Sequence, residues 1–115
     1  MKNCLVVLGM HRSGTSALTG LLDQLGLDLG DRLLETQADN AKGFFENKFV
    51  VQTNDAILEA LGSSWDDTFP LPRDWLTYFS DSRMAQDILQ FLQQDLDEGK
   101  LSGLKDPRLC RLLPY

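Results

Sequence analysis

Leu5-Val6-Val7-Leu8-Gly9-Met10-His11-Arg12-Ser13-Gly14-Thr15-Ser16-Ala17-Leu18 is the stretch that decides how this chain is read. A short apolar run passes into a loop with a glycine at each end, and the loop passes into a helical pattern. Leu18, Leu21, Leu22 and Leu25 recur at helical spacing, and Gly26 is the expected stop. Strand, glycine-bounded loop and helix in that order turn several backbone N–H groups towards one point. The helix dipole adds partial positive charge there, so the point favours a phosphate or a sulfate.

The loop departs from the nucleoside-triphosphate loop in one informative way. Gly9 and Gly14 have that motif's spacing, but Thr15 stands where its lysine belongs. The positive charge comes earlier, at Arg12. A guanidinium in that place grips one terminal phosphate bidentately and calls for no metal. Such a loop suits a nucleotide without a triphosphate tail.

Size and composition bound the rest. A chain of 115 residues, 43% apolar and 24% charged, reads as one soluble globular domain. No apolar run reaches the ~20 residues that span a bilayer, and no secretory pattern opens the chain, so a cytoplasmic location without membrane contact is expected. The net charge of −6 argues against nucleic acid as a partner. A small anion is still admissible, because Arg12, Lys105, Arg108 and Arg111 lie beside segments expected to converge, while Asp66, Asp67 and the acids from Asp95 to Glu98 lie elsewhere. Cys4 and Cys110 have no metal-type spacing and read as two buried free thiols.

After the first helix, Leu27 to Phe45 forms a long aperiodic loop of a kind that is often functional. A second helix runs from about Asn47 to Leu61 and closes at Gly62. Val50, Ile57, Leu58 and Leu61 form its stripe, and Asn54 shares that face either as a hydrogen-bonded core amide or as a pocket wall. Ser63 to Leu76 reads as a structured loop in which Trp65, Phe69 and Trp75 pack. A third helix spans about Ser82 to Glu98, with Asp81 near its start. Leu101 to Lys105 is a short strand, and Leu109, Leu112 and Leu113 suggest a further short helix. Two strands and three longer helices make a thin α/β sheet. A piece of a larger domain is therefore expected, or one whose missing strands come from a partner such as a second copy in a homodimer.

Three segments, Gly9 to Ser16, Asn40-Ala41-Lys42-Gly43-Phe44-Phe45-Glu46 and Leu104-Lys105-Asp106-Pro107-Arg108, together resemble the sulfotransferases. The likeness is to the bacterial sulfotransferase-like proteins that use 3′-phosphoadenosine-5′-phosphosulfate. It implies a P-loop-like three-layer fold, a parallel sheet flanked by helices, here incomplete. It implies that Arg12, Ser13, Gly14, Thr15 and Ser16 hold the donor's 5′-phosphosulfate, with Arg12 balancing charge on the leaving phosphate. It further implies Glu46 as the base for an acceptor hydroxyl, with Glu35 as runner-up, and Lys105 near the transferred group. The plain alternatives are a solvated surface acid or a helix N-terminal carboxylate for Glu46 and Glu35, and a surface lysine for Lys105. His11, the single histidine, belongs to the loop rather than to the chemistry.

One departure from that family is large. The arginine and serine that grip the donor's 3′-phosphate lie beyond the strand that follows the Lys105 segment, and no positions here correspond to them. The expectation is thus a sulfotransferase, or its amino-terminal portion, acting on a small-molecule or glycan acceptor without a metal. The rivals are a small nucleotide or metabolite kinase with a degenerate loop, and a non-catalytic anion-binding remnant completed by self-association.

Overall fold

The computed structural model describes residues 2–31, 33–35 and 43–113. In chain order the elements are β1 (Asn3–Val7), α1 (Thr15–Gln24), α2 (Lys48–Ala60), α3 (Trp75–Phe79), α4 (Arg83–Gln94), β2 (Leu101–Lys105) and α5 (Leu109–Leu112). The protein is mixed α/β, with a two-stranded parallel sheet and helices. Asn3 pairs with Leu101 and Val7 with Lys105, so the loop after β1 and the chain after β2 leave the sheet at the same end. That shared exit places Gly9–Ser16 beside Lys105–Arg108.

The far edge of β2 is met by Asp28, whose N–H reaches Leu101 O at 3.0 Å and whose carbonyl takes the Gly103 N–H at 2.8 Å. This approach needs Gly103. A Cβ there would lie 2.4 Å from Leu27 Cδ2, so only glycine lets Leu27 and Leu29 settle on the strand. Among the described residues no strand covers the other edge of β1.

Helix ends follow the local chemistry. Gly26 and Gly62, both at positive φ, close α1 and α2 with the same pair of bonds. Leu27 N–H to Leu22 O and Gly26 N–H to Asp23 O end α1, and Ser63 N–H to Leu58 O and Gly62 N–H to Glu59 O end α2. Asn47 starts α2 by accepting from the N–H groups of Phe49 and Val50. Ser82, rather than Asp81, caps α4, accepting the Ala85 N–H. That helix stops at Gln94, short of the expected Glu98. Acids oppose a helix C-terminus, and Asp97 instead accepts the Gly99 N–H in a local turn.

The core gathers Ile57, Leu58, Phe79 and Leu112, with Leu61, Leu71, Trp75 and Met84 packed around it. Phe91 of α4 stacks on Phe49 at 5.3 Å. The short helix α3 begins at the end of the expected loop and delivers Phe79 to this core. Among the described residues no helix is long and apolar enough to cross a membrane.

Several side chains lie where the sequence does not place them. α1 turns Thr15 and Thr19 inward and its Leu18, Leu21 and Leu25 stripe outward, with Leu25 76% exposed. Thr19 is accommodated because its hydroxyl donates to Thr15 O at 2.7 Å. Cys4 and Cys110 are exposed, not buried, because the outer part of β1 and the Cys110 face of α5 have no covering layer among the described residues. Trp65 and Phe69 are also exposed, Phe69 at 77%, and the segment carrying them is held by hydrogen-bond contacts. Arg111 supplies those contacts, donating to Ser63 Oγ, Ser64 O and Phe69 O. It therefore braces that loop and does not join the other cations.

Candidate functional site

The shared end of the sheet opens into a cleft of about 310 Å³. His11, Arg12, Gly14, Thr15 and Ser16 line it on the loop side, and Phe44, Glu46, Lys105 and Pro107 line it opposite. None of the N–H groups of Arg12 to Ser16 has an acceptor among the described residues. Gly9 makes the tight loop possible: a Cβ there would meet Thr15 Cγ2 at 2.4 Å and Ser13 Oγ at 2.9 Å. Gly14 precedes α1 with φ 86°.

Two residues other than glycine have positive φ among the described residues, Arg12 at 62° and Phe45 at 56°; Arg12 lines this cleft, and Phe45 stands between Phe44 and Glu46, which do. Such conformations cost free energy and collect at functional sites. The turn at Phe45 lays its ring against Gly20, where a Cβ would come within 3.0 Å of the ring, and sends Glu46 inward. Asn40, Ala41 and Lys42 of the same segment lie outside the described residues.

Glu46 and Lys105, 4% exposed each, form a buried ion pair with Nζ to Oε1 at 2.6 Å. Lys105 also donates to Ser16 Oγ at 3.1 Å and to Phe44 O at 3.2 Å. A lysine ammonium has three protons, and here all three are used. Arg108 stands on the other side of Glu46, with Nη1 3.9 Å from Oε2. Its guanidinium is held by Asp55 and by Asp106, the latter at 2.9 Å. Asp106 is fully buried and also accepts from the Arg108 N–H and from Asn54 Nδ2, at 3.1 and 2.9 Å.

Protonation follows from these neighbours. Burial pushes the Glu46 carboxyl above its ordinary range, and the hydrogen bond and charge of Lys105 offset this only in part. Burial lowers the affinity of His11 for a proton, and the charge of Arg108 lowers it further. Burial also works against the charge of Arg108, but Asp55 and Asp106 outweigh it and raise its pKa.

The expected site residues separate into groups. Arg12, Gly14, Thr15, Ser16, Glu46 and Lys105 meet at the cleft. Ser13 does not line it and donates instead to Met10 O at 2.6 Å. Glu35 is exposed and away from the cleft. Lys105 is buried rather than a surface lysine, and Asn54 is a hydrogen-bonded core amide. His11 lines the cleft and its ring lies 4.5 Å from that of Trp65. The sequence assigns no role to Asp55 or Asp106. Asp106 precedes Pro107 at a strand end, where an acid is placed to accept from the chain that turns after it, and that signal was available.

Compared with known proteins, the chain matches no family model, no curated protein and no solved structure.

Proposed function

We propose that this cleft binds the phosphosulfate end of 3′-phosphoadenosine-5′-phosphosulfate on a P-loop-like α/β scaffold, and that the protein transfers the sulfuryl group to a hydroxyl or amine acceptor. One observation carries the proposal. Arg12, Gly14, Thr15 and Ser16, whose N–H groups have no acceptor among the described residues, line one cleft together with a buried carboxylate–ammonium pair.

The donor supplies a sulfur atom bonded through oxygen to a good leaving group. The loop N–H groups and Arg12 hold the phosphate and stabilise the negative charge that grows on its bridging oxygen as the sulfur–oxygen bond breaks. Glu46 takes the acceptor's proton as the new bond to sulfur forms, and its raised proton affinity suits it to that task. Lys105 balances charge on the transferring group. Asp106 and Asp55 occupy Arg108, so Arg108 fixes the field at Glu46 and is not itself a ligand.

Calorimetric titration with adenosine 3′,5′-bisphosphate in the absence of magnesium tests this function. Binding that Arg12→Ala weakens tenfold or more supports it. Binding only of ATP with magnesium points to a kinase, and binding only of inorganic sulfate or phosphate to an anion-binding remnant.

A second reading rests on a different observation. The open edge of β1 carries Val6, 38% exposed, and α1 presents Leu18, Leu21 and Leu25 outward. A strand without charged residues, with one edge uncovered among the described residues, and an outward leucine stripe on α1 favour completion of the sheet by a second copy. Sedimentation velocity of Leu21→Glu against the parent chain checks this: a dimer that the substitution dissociates supports it, and a monomeric parent chain refutes it.

A further inference from the structure

We propose that Lys105 is shared between Glu46 and the bound anion, so that filling the loop with an anion withdraws Lys105 from Glu46 and sends a proton onto that carboxylate. The inference rests on the function proposed above and concerns the regulation of the same site.

The reasoning is one of valence and reach. Lys105 Nζ has no proton left over: one goes to Glu46 Oε1, one to Ser16 Oγ and one to Phe44 O. An anion held by the first turn of α1 must compete for that ammonium. Ser16 is the point of competition, because its hydroxyl accepts from Lys105 and lies on the same first turn as the unpaired amides. An anion drawn onto Thr15 and Ser16 therefore takes Lys105 by way of Ser16. Phe44 O is a neutral acceptor and does not hold the lysine back against a charge.

Glu46 then keeps Arg108 alone, at 3.9 Å and already committed to Asp55 and Asp106. The charged groups facing Glu46 are Lys105 at the end of β2, Arg108 and Asp106 just after it, and His11 and Arg12 across the cleft. Asp106 repels its charge. A buried carboxylate that has lost its closest cation, with an anion added nearby, gains affinity for a proton. Binding and protonation are then linked, and by reciprocity a protonated Glu46 binds the anion more tightly. Lys105 thus holds down the proton affinity of Glu46 until an anion arrives, and Glu46 serves as base from the fraction that stays ionised once the anion is bound.

Inorganic sulfate is the probe, since it does not itself titrate near neutrality. Calorimetry in buffers of different ionisation enthalpy measures the protons taken up per sulfate bound. The expected result is net uptake approaching one proton, with sulfate affinity rising by up to about tenfold per pH unit as pH falls. His11→Asn should retain the uptake, whereas Glu46→Gln and Lys105→Met should abolish it. Carboxyl ¹³C NMR of Glu46 in the parent chain gives the same answer without a substitution, as a higher pKa with sulfate than without. Sulfate binding without proton uptake, uptake lost in His11→Asn, or uptake kept in Lys105→Met overturns the sharing while leaving the anion site intact. No binding of sulfate or of adenosine 3′,5′-bisphosphate removes the functional proposal and this inference with it.

Discussion

Asp106→Ala should be the most damaging single substitution that leaves the hydrophobic core untouched. Asp106 is fully buried and accepts three hydrogen bonds, from Asn54 Nδ2 at 2.9 Å, the Arg108 N–H at 3.1 Å and Arg108 Nη1 at 2.9 Å. Truncation strands a buried amide, which costs about 1–3 kcal/mol. Removing one partner of a buried ion pair costs about 3–5 kcal/mol when nothing replaces it. Arg108 retains Asp55 and lies near Glu46, so the low end applies to that part. The contributions share partners and do not add fully, giving a loss of about 3–4 kcal/mol. Against a typical domain stability of about 5–15 kcal/mol this is a large fraction. At roughly 3–6 °C per kcal/mol for a chain of this size, the melting midpoint should fall by about 10–20 °C. Urea unfolding followed by tryptophan fluorescence measures the change. Asp106→Asn, which keeps the volume and one acceptor, should lose only about 1–2 kcal/mol. In Asn54→Ala/Asp106→Ala the losses should be less than additive. An Asp106→Ala protein within about 0.5 kcal/mol of the parent chain, the range of an ordinary surface change, would refute the network as a source of stability.

Other sites give independent tests. Gly103→Ala puts a methyl 2.4 Å from Leu27 Cδ2 and should destabilise by about 1–3 kcal/mol in the same urea assay; a neutral effect would place Leu27 elsewhere. His11, the single histidine, should titrate below 6.5 by NMR, because burial and Arg108 disfavour its charge. Between that lowered pKa and 6.5 the unfolded chain binds the extra proton, so His11 makes stability rise with pH across that window. His11→Asn should flatten this dependence, and a histidine titrating at or above 6.5 would contradict it. Cys4 and Cys110 should both react with a thiol reagent in the native protein; the Cys4 residue is exposed, but partial desolvation of its thiol raises its pKa, so it should need alkaline pH to do so. Protection of either thiol until unfolding would show it covered.

The parts of the fold that are legible in the sequence are those set by local chemistry. The stops at Gly26 and Gly62, the cap at Asn47 and the Leu101–Lys105 strand each follow from residues within a few positions. The facing of α1 does not. Its four leucines mark a helix, but which side meets the sheet depends on Thr19 satisfying its own hydroxyl on Thr15 O, and that lets a polar stripe turn inward. The site divides the same way. Glycine spacing and Arg12 are visible from sequence alone. The pairing of Glu46 with Lys105 spans 59 residues and depends on β1 and β2 being parallel neighbours. Asp55 and Asp106 acquire roles only because α2 packs its Asn54 face towards the turn after β2. Arg111 resembles Arg108 in composition and nearness, but three acceptors in the 63–69 loop draw it away.

The most direct test of the loop as an anion site is amide NMR during titration with adenosine 3′,5′-bisphosphate. Downfield shifts that concentrate on the N–H groups of Arg12 to Ser16, and disappear in Arg12→Ala, are expected. Unshifted loop amides, or shifts centred instead on the groove between Asp28 and Lys100, would contradict it.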